Sequence, residues 1–253
     1  MHNSTTAFHM KTTAFHMKTT AFHMKWILSF ALLCGSQLLA EDPHQVDSKR
    51  AARETQSDTD PKSGFWRDAP VVVARSDRQG NPVAGYQTEI RSRWTGTNLY
   101  FLFTCPYEKL YLKPNPNAKA ETNELWKWDV AEVFIGSDFK NIRKYREFEV
   151  SPQSEWVDLD IDLDSPRHED GWIWNSGFKV STRVDEAAKT WYAFMQIPYS
   201  SVDSRSPAAG NALRVNFFLS EGERPAHKSV TWQPTGKPSF HVPEAFGTLK
   251  LVN

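Results

Sequence analysis

Residues 125–138 read Leu-Trp-Lys-Trp-Asp-Val-Ala-Glu-Val-Phe-Ile-Gly-Ser-Asp, and after a polar turn residues 145–156 read Tyr-Arg-Glu-Phe-Glu-Val-Ser-Pro-Gln-Ser-Glu-Trp. The segment 130–135 is short, β-branched and aromatic, and it stops at Gly136, Ser137 and Asp138. That is the pattern of a strand. Alternation puts Ala131, Val133 and Ile135 on one face and Val130 and Phe134 on the other. A strand apolar on both faces is normally covered on both, which places it inside a sheet. Glu132 is the exception, because a carboxylate between Val130 and Phe134 is costly unless something pairs with it. Continued parity brings Trp126 and Trp128 to the Glu132 face, two indoles and one acid at the entry to a central strand. Flat apolar surface beside a fixed hydrogen-bonding group suits a sugar ring, whose C–H faces pack on aromatics while its hydroxyls need directional partners.

Working outward, the same reading predicts strands over 71–73, 88–94, 98–105, 145–151, 156–162, 178–183, 191–197, 213–219, 230–232 and 246–252. Thr95-Gly96-Thr97 marks a hairpin between the second and third of these. Residues 111–123 hold Pro114, Pro116 and several asparagines, and read as an exposed loop of the kind that often carries binding function. There is no long amphipathic helix. About eleven short strands separated by turn signals predict an all-β protein, an antiparallel β-sandwich or jelly roll.

The chain has 253 residues, and its N-terminal part reads differently from the rest. Thr-Thr-Ala-Phe-His-Met-Lys occurs three times in tandem over residues 5–25, without the apolar spacing of a coiled coil. Residues 1–23 are read as upstream sequence, although the three His-Met pairs also have the composition of a soft-metal tract. From Met24, a positive Lys25, a short apolar core over 26–33 and Leu38-Leu39-Ala40 make a secretory signal peptide over 24–40. The apolar core is too short to span a bilayer. Residues 41–62 are charged and without periodicity, and are predicted to be a flexible linker ahead of a domain over 63–253.

Signal removal leaves Cys105 as the single cysteine, so the domain has no disulfide and rests on its core. The 30 basic and 30 acidic residues balance, which argues against nucleic acid or an anionic membrane surface as the main partner. A monomer that binds an oligo- or polysaccharide, secreted or periplasmic, is the expectation. Of the ten tryptophans, Trp94, Trp156, Trp191 and Trp232 sit in or at the ends of apolar strands and are expected in the core. Trp172 and Trp174 lie in a loop where a secondary sugar contact is conceivable.

Four segments carry a family resemblance: Ile90–Trp94 with 98–103; Trp126-Lys-Trp-Asp129-Val-Ala-Glu132-Val-Phe-Ile; Trp191-Tyr-Ala-Phe-Met-Gln-Ile-Pro198; and Phe240-His-Val-Pro243-Glu-Ala-Phe246-Gly247 through Leu251. In order and spacing they resemble carbohydrate-binding module family 9, within the wider group of DOMON-like β-sandwiches. The resemblance implies that two aromatics sandwich a terminal sugar while a carboxylate on the central strand binds its hydroxyls. Carried over, Trp126 is the first platform, Phe240 the second where the family has Trp, and Glu132 the carboxylate, with Asp129 in the same motif. Glu149 stands where the family uses a basic residue, which alters the hydroxyl pattern accepted.

Other readings compete for these residues. Glu132 either meets a ligand or pairs with a buried arginine such as Arg146. A glycoside hydrolase would need two carboxylates at a set separation, and a haem domain would need axial His or Met ligands. Only Met195 and His44, His168, His227 and His241 remain past the signal, and the parity of Met195 places it in the core. No cofactor is required. Asp158, Asp160 and Asp162 alternate with Val157, Leu159 and Ile161, which is either a solvated strand face or a row able to hold a structural calcium.

Overall fold

In the computed structural model, residues 42–223 and 225–253 are described, and they belong to one unit, Glu41–Asn253. The tandem repeat and the signal segment therefore lie outside the described residues. Twelve strands form: β1 (Gln45–Arg50), β2 (Val71–Ala74), β3 (Thr88–Trp94), β4 (Asn98–Pro106), β5 (Val130–Gly136), β6 (Lys144–Val150), β7 (Trp156–Asp162), β8 (Lys179–Asp185), β9 (Thr190–Pro198), β10 (Ala212–Glu221), β11 (Lys228–Thr231) and β12 (Gly247–Val252). Hydrogen bonds link them in the order β7-β6-β5-β10-β12-β1-β3-β4-β9-β8, with β11 on β10 and β2 on β3.

The two halves of this path lie face to face over one core. From one half, Phe101 and Phe103 of β4 and Trp191 and Met195 of β9 enter it; from the other come Val133 and Ile135 of β5 and Phe217 of β10. The Phe217 ring meets those of Phe101 and Phe103 at 5.5 and 5.9 Å, joining the layers. The alternation read from 130–135 holds: Ala131, Val133 and Ile135 face this core, Val130 and Phe134 face outward, and every residue of β5 is buried. Each outward face carries a smaller apolar cluster. On β4 and β9, Tyr100, Leu102 and Phe194 lie under Trp66. On β5, β6, β7 and β10, Phe134, Tyr145, Leu159, Ile161 and Phe218 gather instead.

Two expectations are corrected. The predicted linker over 41–62 is not flexible across its described residues, 42–62, because β1 inserts between β12 and β3 and completes the path joining the halves. Beyond it, Glu54 accepts hydrogen bonds from Thr97 and Asn98, and the Trp66 indole donates to the Asp58 carbonyl at 2.8 Å. Nor is the sandwich wholly antiparallel, since β1 runs parallel to both neighbours. The sequence Gln-Val-Asp-Ser-Lys-Arg hides this strand. Only Val46 is apolar and buried, while Ser48 is buried by a 2.8 Å hydrogen bond to Ser92.

Candidate functional site

The outward face of β5 and β6 is set by one register. Glu132 lies directly opposite Glu149, and Phe134 opposite Glu147, so Glu147 is the diagonal neighbour of Glu132. Opposed side chains on adjacent strands have Cβ atoms about 4.5–5.5 Å apart, and like charges placed so repel. Here one oxygen from each of Glu132, Glu147 and Glu149 lies within 4.8 Å of the others, and all three residues are buried. Ser220 of β10, beside Phe218 which faces Glu132, donates its hydroxyl to Glu132 at 2.9 Å. Burial pushes Glu132 and Glu149 well above the ordinary carboxylate range, and repulsion from the neighbouring acids adds to it. Burial likewise raises Glu147 to about 7.

Three covering segments leave a cavity of about 730 Å³ over this face. The 3₁₀ turn Leu125–Lys127 is anchored by buried Leu125 and presents half-buried Trp126 to the cavity. The 3₁₀ segment His168–Ile173 lies against β7 because Gly171 has no side chain; a Cβ there would come within 2.3 Å of the Asp160 carbonyl oxygen. The third segment, 239–241, brings Phe240 and His241. Trp126, Phe240, Glu132, Glu147, Ser220 and Arg78 all line the one cavity.

The predicted residues divide. Trp126, Phe240 and Glu132 come together. Phe240 is less open than a free platform: one face stacks on Phe218 at 4.2 Å and 16°, and the Arg78 guanidinium sits over the ring at 5.7 Å. Trp128 leaves the group, because the turn Leu125–Lys127 breaks the extended parity, and its indole stacks on Tyr111 at 4.7 Å. Asp129 also points elsewhere. It is fully buried and accepts the backbone amides of Tyr111 and Gly222, both at 2.7 Å, so it fastens two loops. Glu149 is fully enclosed and does not line the cavity.

Arg146 does not pair with Glu132. It lies on the opposite face of β6, bonded to Asp160 and stacked on Trp174 at 4.6 Å. The aspartate row is likewise taken up: Asp160 by Arg146, Asp162 by Lys144 at 2.9 Å, and Asp158 by the Ser176 amide at 2.7 Å. The three aspartates do not converge on one point, and among the described residues the grouping of three acids that does is Glu132, Glu147 and Glu149. Met195 is buried in the central core, as its parity requires. Trp94, Trp191 and Trp232 are buried, and Trp156 packs against the central core. Trp172 packs on the outer cluster and Trp174 on the central core, so neither lines the cavity.

Sequence reasoning missed Glu147, Ser220, Arg78 and a histidine pair. Glu147 shares parity with Glu149 and was open to the same reading as Glu132. Ser220 needed the strand pairing, and Arg78 the docking of its loop on the segment 231–236. His241 shares a 2.7 Å hydrogen bond with the Tyr145 hydroxyl, and its ring lies 4.4 Å from that of His168. Burial and His168 lower His241 to about 4, so its imidazole is neutral at pH 7. The cavity therefore offers an indole, a phenyl ring, neutral and cationic donors, and a floor of carboxyls.

A family model described as carbohydrate family 9 binding domain-like matches residues 59–253. An extracellular protein of Arthroderma benhamiae is 28% identical over 178 residues, 66% of this chain and 79% of that protein. Among solved structures, a family 9 carbohydrate binding module from Caldicellulosiruptor kristjanssonii in complex with cellotriose has a TM-score of 0.59 at 13% identity, covering 83% of this chain and 94% of the other. A family 9 module from the same organism in complex with glucose gives 0.58 at 14%, covering 82% and 95%. At these identities the structural likeness establishes the fold.

Proposed function

The chain belongs to the carbohydrate family 9 binding domain-like family, and from that premise we propose that it is a secreted sugar-binding protein without catalysis of its own. In this reading it holds the end of a cellulose- or xylan-type chain and so supports polysaccharide breakdown. The observation that carries the reading is the meeting of Trp126, Phe240 and Glu132 in one cavity of about 730 Å³. An indole accepts the apolar face of a pyranose, and Glu132 with Ser220 discriminates its hydroxyls, because a hydroxyl left without a partner in a closed site is costly. Arg78 over Phe240 supplies a further donor beside the second ring.

Other observations favour binding over hydrolysis. Glu132 and Glu147 stand on adjacent strands of one cavity floor, whereas a hydrolytic pair flanks the scissile bond from two sides. The two family 9 modules noted above were solved with cellotriose and glucose, which favours a glucan end as the first ligand to try. The Arthroderma benhamiae relative described as extracellular agrees with secretion. Among the described residues no helix is long and apolar enough to cross a membrane.

One or two sugar units engage few heavy atoms, so affinity is on the order of micromolar to millimolar. The test is affinity electrophoresis on hydroxyethylcellulose and xylan, with calorimetric titration of cellotriose. Trp126→Ala is expected to weaken binding by at least about tenfold, the loss of one stacking contact of about 1.4 kcal/mol, while near-ultraviolet dichroism stays unchanged. A variant that migrates and titrates like the parent would overturn the reading.

A further inference from the structure

Glu132 and Glu147 line the cavity floor, but Glu149 does not reach it. Glu149 is completely enclosed, has only the Glu147 carboxyl and the Trp126 backbone amide near its oxygens, neither at full hydrogen-bond geometry, and is aimed at the other two acids, with oxygens of all three inside 4.8 Å. One oxygen of Glu147 also lacks a partner. Besides the Trp126 amide, the neutral donor is the Ser220 hydroxyl on Glu132. Among the described residues, no lysine, arginine or histidine offsets the three acids at close range. An enclosed carboxyl without a partner costs free energy, and three facing one another cost more. Along the β6–β7 pair the protein matches acids to cations, with Asp160 on Arg146 and Asp162 on Lys144. The floor cluster departs from that pattern.

An all-oxygen donor set selects a hard cation. Calcium–oxygen distances near 2.4 Å place any two ligand oxygens on one ion at most about 4.8 Å apart, whereas magnesium near 2.1 Å sets that limit at about 4.2 Å. Oxygens of the three side chains all lie within 4.8 Å of one another, close enough to share one ion, and magnesium, which keeps several waters and takes one or two carboxylates, suits a three-carboxylate set less well than calcium. We propose that Glu132, Glu147 and Glu149 form a divalent-cation site of calcium type beneath the cavity. Calcium takes about six to eight oxygens, more than these three carboxyls and Ser220 supply. The remaining positions face the cavity through Glu132 and Glu147, open to water or to ligand hydroxyls.

The test uses the full chain, stripped with EDTA and dialysed, with calcium chloride as the probe and magnesium chloride beside it. Calorimetry is expected to show one calcium per chain, with a raised melting temperature and weaker binding of magnesium. Glu149→Gln keeps the shape and removes one ligand charge, and is expected to weaken calcium about 10–100-fold. Asp160→Asn with Asp162→Asn serves as the control and should leave calcium binding unchanged. If Glu149→Gln fails to fold, Glu147→Gln provides the same readout at the cavity floor. The proposal is overturned if neither heat nor melting shift appears up to about 10 mM calcium, beyond the weakest extracellular calcium modules. It is also overturned if calcium binding follows the aspartate pair instead. A third overturning result is stabilisation by glucosamine hydrochloride, lost in Glu149→Gln, with no metal response, since the charge partner would then be an ammonium group. No sugar enters the calcium titration, so it stands or fails independently of the cellotriose experiment.

Discussion

The two outer faces of the sandwich start from similar strands and end differently. On β4 and β9, Tyr100, Leu102 and Phe194 are covered by Trp66, whose ring packs edge-on to Phe65 and Phe194 at 4.8 and 6.3 Å. On β5, β6, β7 and β10, Phe134, Tyr145 and Phe218 form a comparable aromatic base, yet the covering turns leave a cavity whose floor holds Glu132 and Glu147, with Glu149 enclosed beside them. Strand alternation produces an apolar outer face in both places. The difference lies in what returns over it: one indole driven into the sheet, against separate segments that leave a cavity beneath them. A sealed face contributes to stability, and an open one is able to bind.

The sharpest way to break this comparison is to unseal the closed face. Trp66→Ala removes a fully buried indole and is expected to cost about 3–5 kcal/mol in chemical denaturation, with cellotriose titration unaltered in whatever fraction remains folded. A loss below about 1 kcal/mol would mean that this cluster does not support the fold.

Acidity provides the next test. Burial raises Glu121 and Glu221 to about 8 and Asp129 to about 6. For an acid whose folded pKa is raised, stability is fully present below the unfolded value and is lost as pH climbs through the folded one. The domain should therefore melt lower at pH 9 than at pH 6. Glu221→Gln should recover part of the difference, because burial first and the nearby Asp129 second disfavour a charge on Glu221. His241 acts in the opposite sense. Its folded pKa is depressed to about 4, so its contribution is present above about 6.5 and lost as pH falls toward 4. A melting temperature flat from pH 6 to 9 would show that these carboxyls are solvated.

The smallest effect belongs to the paired acids. Arg146→Met leaves Asp160, whose side chain is 44% exposed, and should cost no more than about 1 kcal/mol because water screens a half-exposed pair. Lost packing on Trp174 is included in that figure. A much larger cost would place the aspartate row among the strained acids and erase its contrast with the floor cluster.

Most of the fold was legible because hydrophobic alternation is a local signal. Eleven of the twelve strands follow from apolar period and turn residues, and the residue-by-residue division of β5 between two faces follows from parity alone. β1 escaped because a strand held by a Ser48–Ser92 hydrogen bond and one buried valine carries almost no apolar pattern. The site was legible in part. Trp126, Phe240 and Glu132 were named and lie together, whereas Trp128 was placed by assuming an extended backbone that the Leu125–Lys127 turn interrupts, and Asp129, named from the family motif, is turned to the loop amides. The aspartate row looked like the metal candidate because its acids are close in sequence. Side chains two apart on one strand, however, stand about 6.6–6.8 Å apart, while neighbours across strands stand about 5 Å apart.

The sequence by itself determined that this chain makes short alternating strands, that β5 is buried on both faces, and that Glu132 is out of place there. Tertiary structure alone decided that Glu147 and Glu149 join it, that Arg146 faces the other way, and that the turns leave room above. The physical reason is that alternation depends on a residue's own neighbours, whereas pairing register and the path of a covering segment depend on contacts between residues far apart in the chain.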